Sequence, residues 1–162
     1  MKIGVMADSH DNLVMIRAAL KLLEAEGAQA LLHAGDIVAP FAVKAILTFP
    51  HRVVGVFGNN DGERAGLRAL WPEVSDPPYA LSLGNRTVLI VHDRGKLAPG
   101  ALKGVDILVC GHSHKPEVTL EDGVLCVNPG ECGGWVTGAA TVAVMDTDAM
   151  AARILKVGEQ RS

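Results

Sequence analysis

Short apolar runs alternate with polar loops along the first third of the chain. Residues 2–7, 30–34 and 52–57 are apolar runs of strand length, and each stops at a polar or glycine-containing loop. The spacing of apolar residues between them predicts helices over residues 13–26 and 40–47. Strand, loop, helix and strand in this order is typical of βαβ units with a parallel sheet.

The second half of the chain is richer in predicted strands. Residues 79–83 and 87–91 flank Gly84-Asn85, which is a hairpin signal. Further strands are predicted over residues 105–110, 117–120, 124–127, 139–145 and 152–157, with a second hairpin at Glu121-Asp122-Gly123. A helix is predicted here only near residues 97–103. The order predicts one α/β domain, residues 1–162, with two packed sheets.

Composition narrows the class of protein. Hydrophobic residues make up 49% of the 162 residues, which suits one domain with a full core. The net charge of −3 argues against a protein that coats nucleic acid or an anionic membrane. The first apolar stretch is too short for a signal peptide, and no window approaches the ~20 apolar residues of a membrane span. We therefore expect a soluble, cytoplasmic protein whose three cysteines are buried, reduced thiols.

Polar side chains fall at the ends of five predicted strands. Sites in open α/β sheets form outside the carboxyl ends of the strands, so these side chains are expected to converge. The seven candidates are Asp8, His10, Asp36, Asn59, His92, His112 and His114.

The donor atoms of this set are carboxylate, imidazole and amide oxygen, with no thiolate. Such ligands suit Mn, Fe, Zn, Co or Ni. Seven ligands exceed what one ion needs, so we expect two ions that share one carboxylate. A pair about 3.5–4 Å apart can clamp a phosphate and lower the pKa of a bridging water.

The motifs resemble those of a known family. Asp8-Ser9-His10, Gly35-Asp36, Gly58-Asn59-Asn60-Asp61, His92 and Gly111-His112-Ser113-His114 are similar, in order, to motifs of the calcineurin-like metallophosphoesterase superfamily. Residues 58–64 and 128–132 also resemble its small single-domain branch, the YfcE-like phosphodiesterases. The resemblance covers residues 1 to about 146. It implies a four-layer αββα sandwich with two mixed β-sheets.

The resemblance also implies roles for the seven residues. The first ion would be held by Asp8, His10 and His114, the second by Asn59, His92 and His112, with Asp36 bridging both. The implied enzyme is a phosphodiesterase acting on small diesters, nucleotide-derived ones among them, with a hydroxide between the two ions as nucleophile. Mn²⁺ is the first expectation, with Ni²⁺, Fe²⁺, Co²⁺ or Zn²⁺ as alternatives. Asn59, Asp36 and His92 are the expected catalytic residues.

Two positions depart from the family pattern. Asn60 stands where many members carry a histidine that is thought to protonate the leaving group, and an amide cannot act as a general acid. Arg94 stands where a second histidine is usual, and it is either exposed or a bidentate phosphate ligand. We expect Asn59, Asn60 and Arg94 to bind substrate, and Asp61 either to orient a histidine or to lie in a solvated loop.

Several alternatives stay open. A phosphomonoesterase is the nearby variant, and a non-catalytic protein-binding scaffold on the same fold is a different class. A homodimer is compatible with this size, whereas a membrane partner or a stable nucleic-acid complex is not expected. Trp71 and Trp135 are candidates for core packing, a dimer surface or a substrate platform, with core or interface packing favoured for Trp135.

Overall fold

The computed structural model describes residues 1–158, so residues 159–162 of the predicted domain lie outside the described part. The helices are α1 (Leu13–Ala25), α2 (Pro40–Ile46) and α3 (Arg64–Leu70). The strands are β1 (Lys2–Met6), β2 (Ala30–His33), β3 (Arg52–Val56), β4 (Val74–Ser75), β5 (Tyr79–Leu83), β6 (Arg86–Ile90), β7 (Ile107–Val109), β8 (Glu117–Glu121), β9 (Val124–Asn128), β10 (Thr141–Asp146) and β11 (Ala151–Lys156). None of the described helices is long and apolar enough to cross a bilayer.

The strands form two mixed sheets, as predicted. The first has the order β11-β10-β1-β2-β3-β4, in which β1 to β4 are parallel and β10 and β11 are antiparallel. The second has the order β5-β6-β7-β9-β8, with a parallel centre and an antiparallel strand at each edge.

Three apolar layers pack against the faces of the two sheets. Ile16 of α1 and Ile46 of α2 pack with one face of the first sheet. Val5 of the first sheet and Val109 of the second belong to the cluster between the sheets. The outer face of the second sheet is covered by the segment after β6, through residues such as Leu102. The molecule therefore has four layers, of which the fourth is thin.

The prediction of a helix near residues 97–103 is wrong. This segment contains a 3₁₀ helix at Arg94–Lys96 followed by turns. Its hydrogen bonds span three residues, as from Ala101 N to Ala98 O (3.1 Å). Gly100 has a φ of +80°, which lies in the left-handed region and ends any regular helix there.

The helix α3 and the short strand β4 were not predicted. Only Leu67 of α3 is buried, so the segment has no apolar stripe that a helical period would reveal. Trp71 follows α3 and is buried, with its indole N–H donating to Val53 O at 2.9 Å. The core alternative for Trp71 is thus confirmed.

Candidate metal centre

Backbone hydrogen bonds join the loops that follow β1 and β2. The N–H of Asp8 donates to Gly35 O at 3.0 Å, and the N–H of His10 donates to Asp36 O at 3.1 Å. These bonds continue the parallel pairing of the two strands into their loops. They bring the polar side chains of both loops to one edge of the sheet.

One group of side chains that could hold a metal ion consists of Asp8, His10 and His114. The Oδ1 atom of Asp8 lies 3.4 Å from His114 Nε2 and 3.9 Å from His10 Nε2. Asp8 Oδ1 and His10 Nε2 are buried and have no hydrogen-bond partner in the described part of the chain. Buried polar atoms are nearly always paired, so these atoms call for a further partner.

A second group consists of Asp8, Asp36 and His92. His92 Nε2 lies 3.4 Å from Asp36 Oδ2 and 3.0 Å from Asn59 Oδ1. The other ring nitrogen, Nδ1, lies 2.7 Å from Ala34 O. A carbonyl only accepts, so Nδ1 carries the hydrogen and Nε2 is the nitrogen that faces the two oxygens.

Asp36 connects the two groups. Its Oδ2 atom lies 3.6 Å from His10 Nε2 and 3.4 Å from His92 Nε2, which is the position expected of a shared carboxylate. His112 lies at the edge of this arrangement. Its ring contacts the His92 ring at a centroid distance of 5.1 Å, and its Nε2 lies 3.8 Å from Asp93 Oδ2.

Five of the seven predicted ligand residues have a left-handed backbone. The φ angles of Asp8, His10, Asp36, His112 and His114 are 50°, 40°, 60°, 69° and 59°. This region is uncommon for residues other than glycine, and such strain concentrates at functional sites. The surrounding hydrogen bonds must therefore hold these loops in place.

The Asp61 carboxylate accepts four of those hydrogen bonds. Its Oδ1 accepts from the N–H groups of Ile37 (2.8 Å) and Val38 (2.7 Å), and its Oδ2 accepts from those of Asp36 (3.0 Å) and Gly58 (2.7 Å). The carboxylate is buried. Both interpretations of Asp61 from the sequence are therefore wrong: it neither contacts a histidine nor lies in a solvated loop, but anchors the turn that carries Asp36.

The charged groups shift one another's pKa values. Burial opposes ionisation of Asp36, but hydrogen bonds from His92 and Asn60 hold its pKa well below the usual value. Burial alone would lower the pKa of His92, yet the hydrogen bond and charge of Asp36 raise it. Burial raises the pKa of Asp8. A positive charge is thus favoured beside Asp36, whereas burial disfavours the ionised form of Asp8.

Glu131 and Asn128 are site residues whose roles the sequence did not reveal. Glu131 is buried, and its Oε1 lies 3.6 Å from His114 Nδ1 while accepting the N–H of Trp135 at 2.7 Å. The side-chain amide of Asn128 donates to Gly111 O at 3.1 Å. Both belong to residues 128–132, whose resemblance to the family is apparent in the sequence. Their partners, however, depend on how β9 is placed beside β7.

His33 supports the loops from within the sheet. Its Nε2 lies 3.0 Å from Ser9 Oγ, and its Nδ1 accepts the N–H of Gly35 at 3.2 Å. Burial lowers the pKa of His33 to about 3, so the ring is neutral.

The substrate-binding candidates differ in what they contact. The side-chain amide of Asn60 donates to Asp36 Oδ2 at 2.7 Å. The Arg94 guanidinium is paired with the carboxylate of Glu121 on β8, with Nη1 3.2 Å from Oε1. A phosphate contact by Arg94 would require release of Glu121.

Trp135 is 65% exposed, so its core alternative is wrong. Its indole N–H donates to His10 O at 3.1 Å, which places the ring at the rim of the site.

Comparison with known proteins agrees with this geometry. The family described as the calcineurin-like phosphoesterase superfamily domain matches residues 1–150. Phosphodiesterase MJ0936 of Methanocaldococcus jannaschii is 32% identical over 156 residues, covering 91% of this chain and 94% of that protein. Phosphodiesterase YfcE of Escherichia coli strain K12 is 28% identical over 145 residues, covering 80% and 78%.

The fold agrees as well. A solved structure described as a novel archaeal phosphodiesterase superposes with a TM-score of 0.88 at 31% identity, covering 97% of this chain and all of that one. The resemblance predicted from the motifs is confirmed. The chain belongs to the calcineurin-like phosphoesterase superfamily.

Proposed function

We propose that this protein is a phosphodiesterase that works with two divalent metal ions. The observation that carries the proposal is a cluster of lone-pair donors facing one another. Asp8 Oδ1 and His10 Nε2 are buried without a partner, and Asp36 Oδ2 lies within 3.6 Å of two imidazole nitrogens. Such atoms repel unless a cation or a proton lies between them. The residues present therefore fit a metal centre.

The proposed ligand sets follow the two groups. Asp8, His10 and His114 would hold the first ion, and Asp36 would serve both ions. Asn59, His92 and His112 would hold the second ion, which is supported by the short Asn59–His92 distance and by the ring contact between His92 and His112. Mn²⁺ is the proposed metal.

Two bound cations supply charge neutralisation at the phosphoryl oxygens and a lower pKa for water. The chain's own residues position the reaction. The side-chain oxygen of Asn59 faces His92, and its NH₂ group makes no hydrogen bond within residues 1–158, so it can donate to a phosphate oxygen. Ala34 O fixes the orientation of the His92 ring, and Asp61 fixes the loop of Asp36. Preorganised groups of this kind lower the barrier without reorganisation during the reaction.

The proposed substrate is a small phosphodiester, with nucleotide-derived diesters included. Two relatives are named phosphodiesterases, which supports a diester. Asn60 favours esters with a good leaving group, because no imidazole is present at that position to protonate a poor one. Phosphomonoesterase activity is the second candidate.

A non-catalytic scaffold is the alternative from another class. A scaffold does not need its metal ligands, yet all seven are present here: five form the two groups described above, and the other two, Asn59 and His112, contact His92. We further propose that the enzyme acts in the cytoplasm without stable nucleic-acid partners, consistent with its net charge of −3. A homodimer is compatible with this proposal.

Hydrolysis of bis-p-nitrophenyl phosphate by metal-stripped protein tests the proposal. We expect no turnover without metal and clear turnover after addition of Mn²⁺ or Ni²⁺. Asp36→Asn protein, which lacks the shared carboxylate charge, should stay inactive under the same conditions. No hydrolysis with any divalent ion, together with no metal in the purified protein, would contradict the enzyme function.

A further inference from the structure

A cavity of about 150 Å³ lies directly beside the second group of ligands. Two of the residues that line it, Asn59 and His92, are proposed metal ligands. The lining also includes Phe57, Pro78, Lys96 and Leu97. A phosphodiester held at the metal centre would therefore have one ester substituent at the mouth of this cavity.

The size and walls of the cavity limit that substituent. Pockets for drug-sized ligands measure roughly 300–1,000 Å³, so this cavity admits only a small group. Phe57, Pro78 and Leu97 provide apolar surface. The Phe57 ring packs against the guanidinium groups of Arg64 and Arg68, at 5.0 Å and 4.9 Å from its centroid, which holds this wall rigid.

Most of the charged groups around the cavity already have partners. Arg64 Nη1 is paired with Asp76 Oδ1 at 3.0 Å. Asp93 Oδ1 accepts the N–H of Gly95 at 2.9 Å, and Asp93 Oδ2 faces His112 Nε2.

Lys96 is different. It is exposed, and its ammonium group has no hydrogen bond or ion pair with any residue in the described range 1–158. One cation at the cavity is therefore left without an ion pair, while the carboxylate of Asp93, which lines the same cavity, is held by Gly95 and His112.

We propose that this cavity binds the second ester substituent of the substrate, and that Lys96 selects a substituent carrying a carboxylate. The inference rests on the proposed phosphodiesterase function and specifies its substrate class. A lysine ammonium is a point charge, so one free lysine balances one negative charge. A phosphate monoester carries about 1.5 to 2 negative charges at pH 7, which is more than one lysine balances. The substrate class is thus a small phosphodiester of a hydroxy acid.

Steady-state kinetics with Mn²⁺-loaded protein tests this assignment. The substrates are three p-nitrophenyl phosphodiesters that share the leaving group and differ in the second substituent: 2-carboxyethyl, ethyl or choline. We expect kcat/KM to fall in that order. The 2-carboxyethyl ester should be preferred over the ethyl ester by about twofold to fivefold, through KM, because solvent weakens an ion pair with an exposed lysine.

The variants isolate the charge of Lys96. In Lys96→Met the ratio of kcat/KM for the carboxyethyl and ethyl esters should approach one, and in Lys96→Glu the choline ester should become the preferred substrate. Lys103→Met is the matched control, because Lys103 is also an exposed lysine of the same outer segment and does not line the cavity. It should keep the wild-type ratio.

The results that would contradict the role of Lys96, the carboxylate preference and the proposed function differ from one another. Hydrolysis of all three esters with the same ratio in wild-type and Lys96→Met protein would overturn the role of Lys96 and leave the phosphodiesterase function standing. A 2-phosphoethyl ester that outperforms the carboxyethyl ester would overturn the carboxylate. No hydrolysis of any ester with any divalent ion would overturn the proposed function itself, and the inference with it.

Discussion

Asp36 and Asp61 are buried aspartates in neighbouring loops, and their partners differ. Asp61 accepts four backbone N–H groups, so both of its oxygens are satisfied within the protein. Asp36 directs Oδ2 toward His10 and His92, where a lone pair is available to a cation. The first carboxylate holds a loop, and the second offers a ligand.

Asp61→Asn should therefore destabilise the protein and weaken metal binding. The new NH₂ group would face backbone donors, and leaving buried N–H groups unpaired costs about 3 kcal/mol. Affinity for Mn²⁺ should fall about 10–100-fold, as for residues that orient metal ligands. Urea unfolding and calorimetric titration measure the two effects. Asp122→Asn is the control, since Asp122 lies in an exposed turn, and equal behaviour of the two variants would contradict this role.

Asn60→His tests the missing proton donor. An imidazole beside the scissile bond can act as a general acid, so the rate on diphenyl phosphate, whose phenolate is a poor leaving group, relative to bis-p-nitrophenyl phosphate should rise by about 10-fold or more. The ratio is the proper readout, because the change also removes the Asn60 hydrogen bond to Asp36. An unchanged ratio would show that Asn60 does not cause a preference for good leaving groups.

At the scale of elements, the central strands and the helices α1 and α2 were predictable because their apolar patterns are strong. In α1, Ile16, Leu20 and Leu23 are all buried on one face, and Asn12 caps the first turn by accepting the N–H of Met15. The helix α3 was missed because it buries only Leu67. The apolar residues near 97–103 predict a helix, but in the structure they cover the second sheet from turns.

The site was predictable to the extent that it follows from strand order. Parallel strands end at one edge of a sheet, so side chains just after β1 and β2 had to approach one another. The partners of Asp61 and Glu131 are mainly backbone N–H groups of other loops. Backbone groups have no sequence signature, so those contacts required the structure.

Close packing between the loops after β2 and β3 gives a sharp test. A Cβ atom on Gly58 would lie 2.1 Å from Asp36 Oδ1, whereas one on Gly62 would meet nothing within 4 Å. Gly58→Ala should displace Asp36 and lower kcat/KM about 100-fold or more, since a shift of about 1 Å has that effect. Gly62→Ala should stay within about twofold of wild type. Comparable losses in both variants would argue against this packing.

At the scale of the whole molecule, the metal centre joins loops from both sheets. Asp8 and Asp36 follow strands of the first sheet, whereas His92 and His114 follow strands of the second. Bound ions would therefore link the two sheets at one edge. Such a link stabilises the folded state, because an unfolded chain cannot assemble the ligands.

Metal-stripped protein should consequently melt at a lower temperature than metal-loaded protein. At Mn²⁺ concentrations 100 times the dissociation constant, each bound ion adds about 2.7 kcal/mol. For a domain of this size that corresponds to a rise in Tm of about 5–10 °C. Differential scanning calorimetry with and without Mn²⁺ measures the shift, and an unchanged Tm would indicate that no ion binds the folded state.

The number of metal ions bound per chain tests the central claim most directly. Elemental analysis after loading with Mn²⁺ and removal of free metal should find two ions in wild-type protein. It should find about one each in His10→Ala and His92→Ala, because each variant loses a ligand of a different site. His51→Ala is the control, since His51 is exposed and outside both groups, and it should keep two. Fewer than two ions in wild-type protein would contradict the shared centre at Asp36. Two ions in both His10→Ala and His92→Ala would contradict it as well.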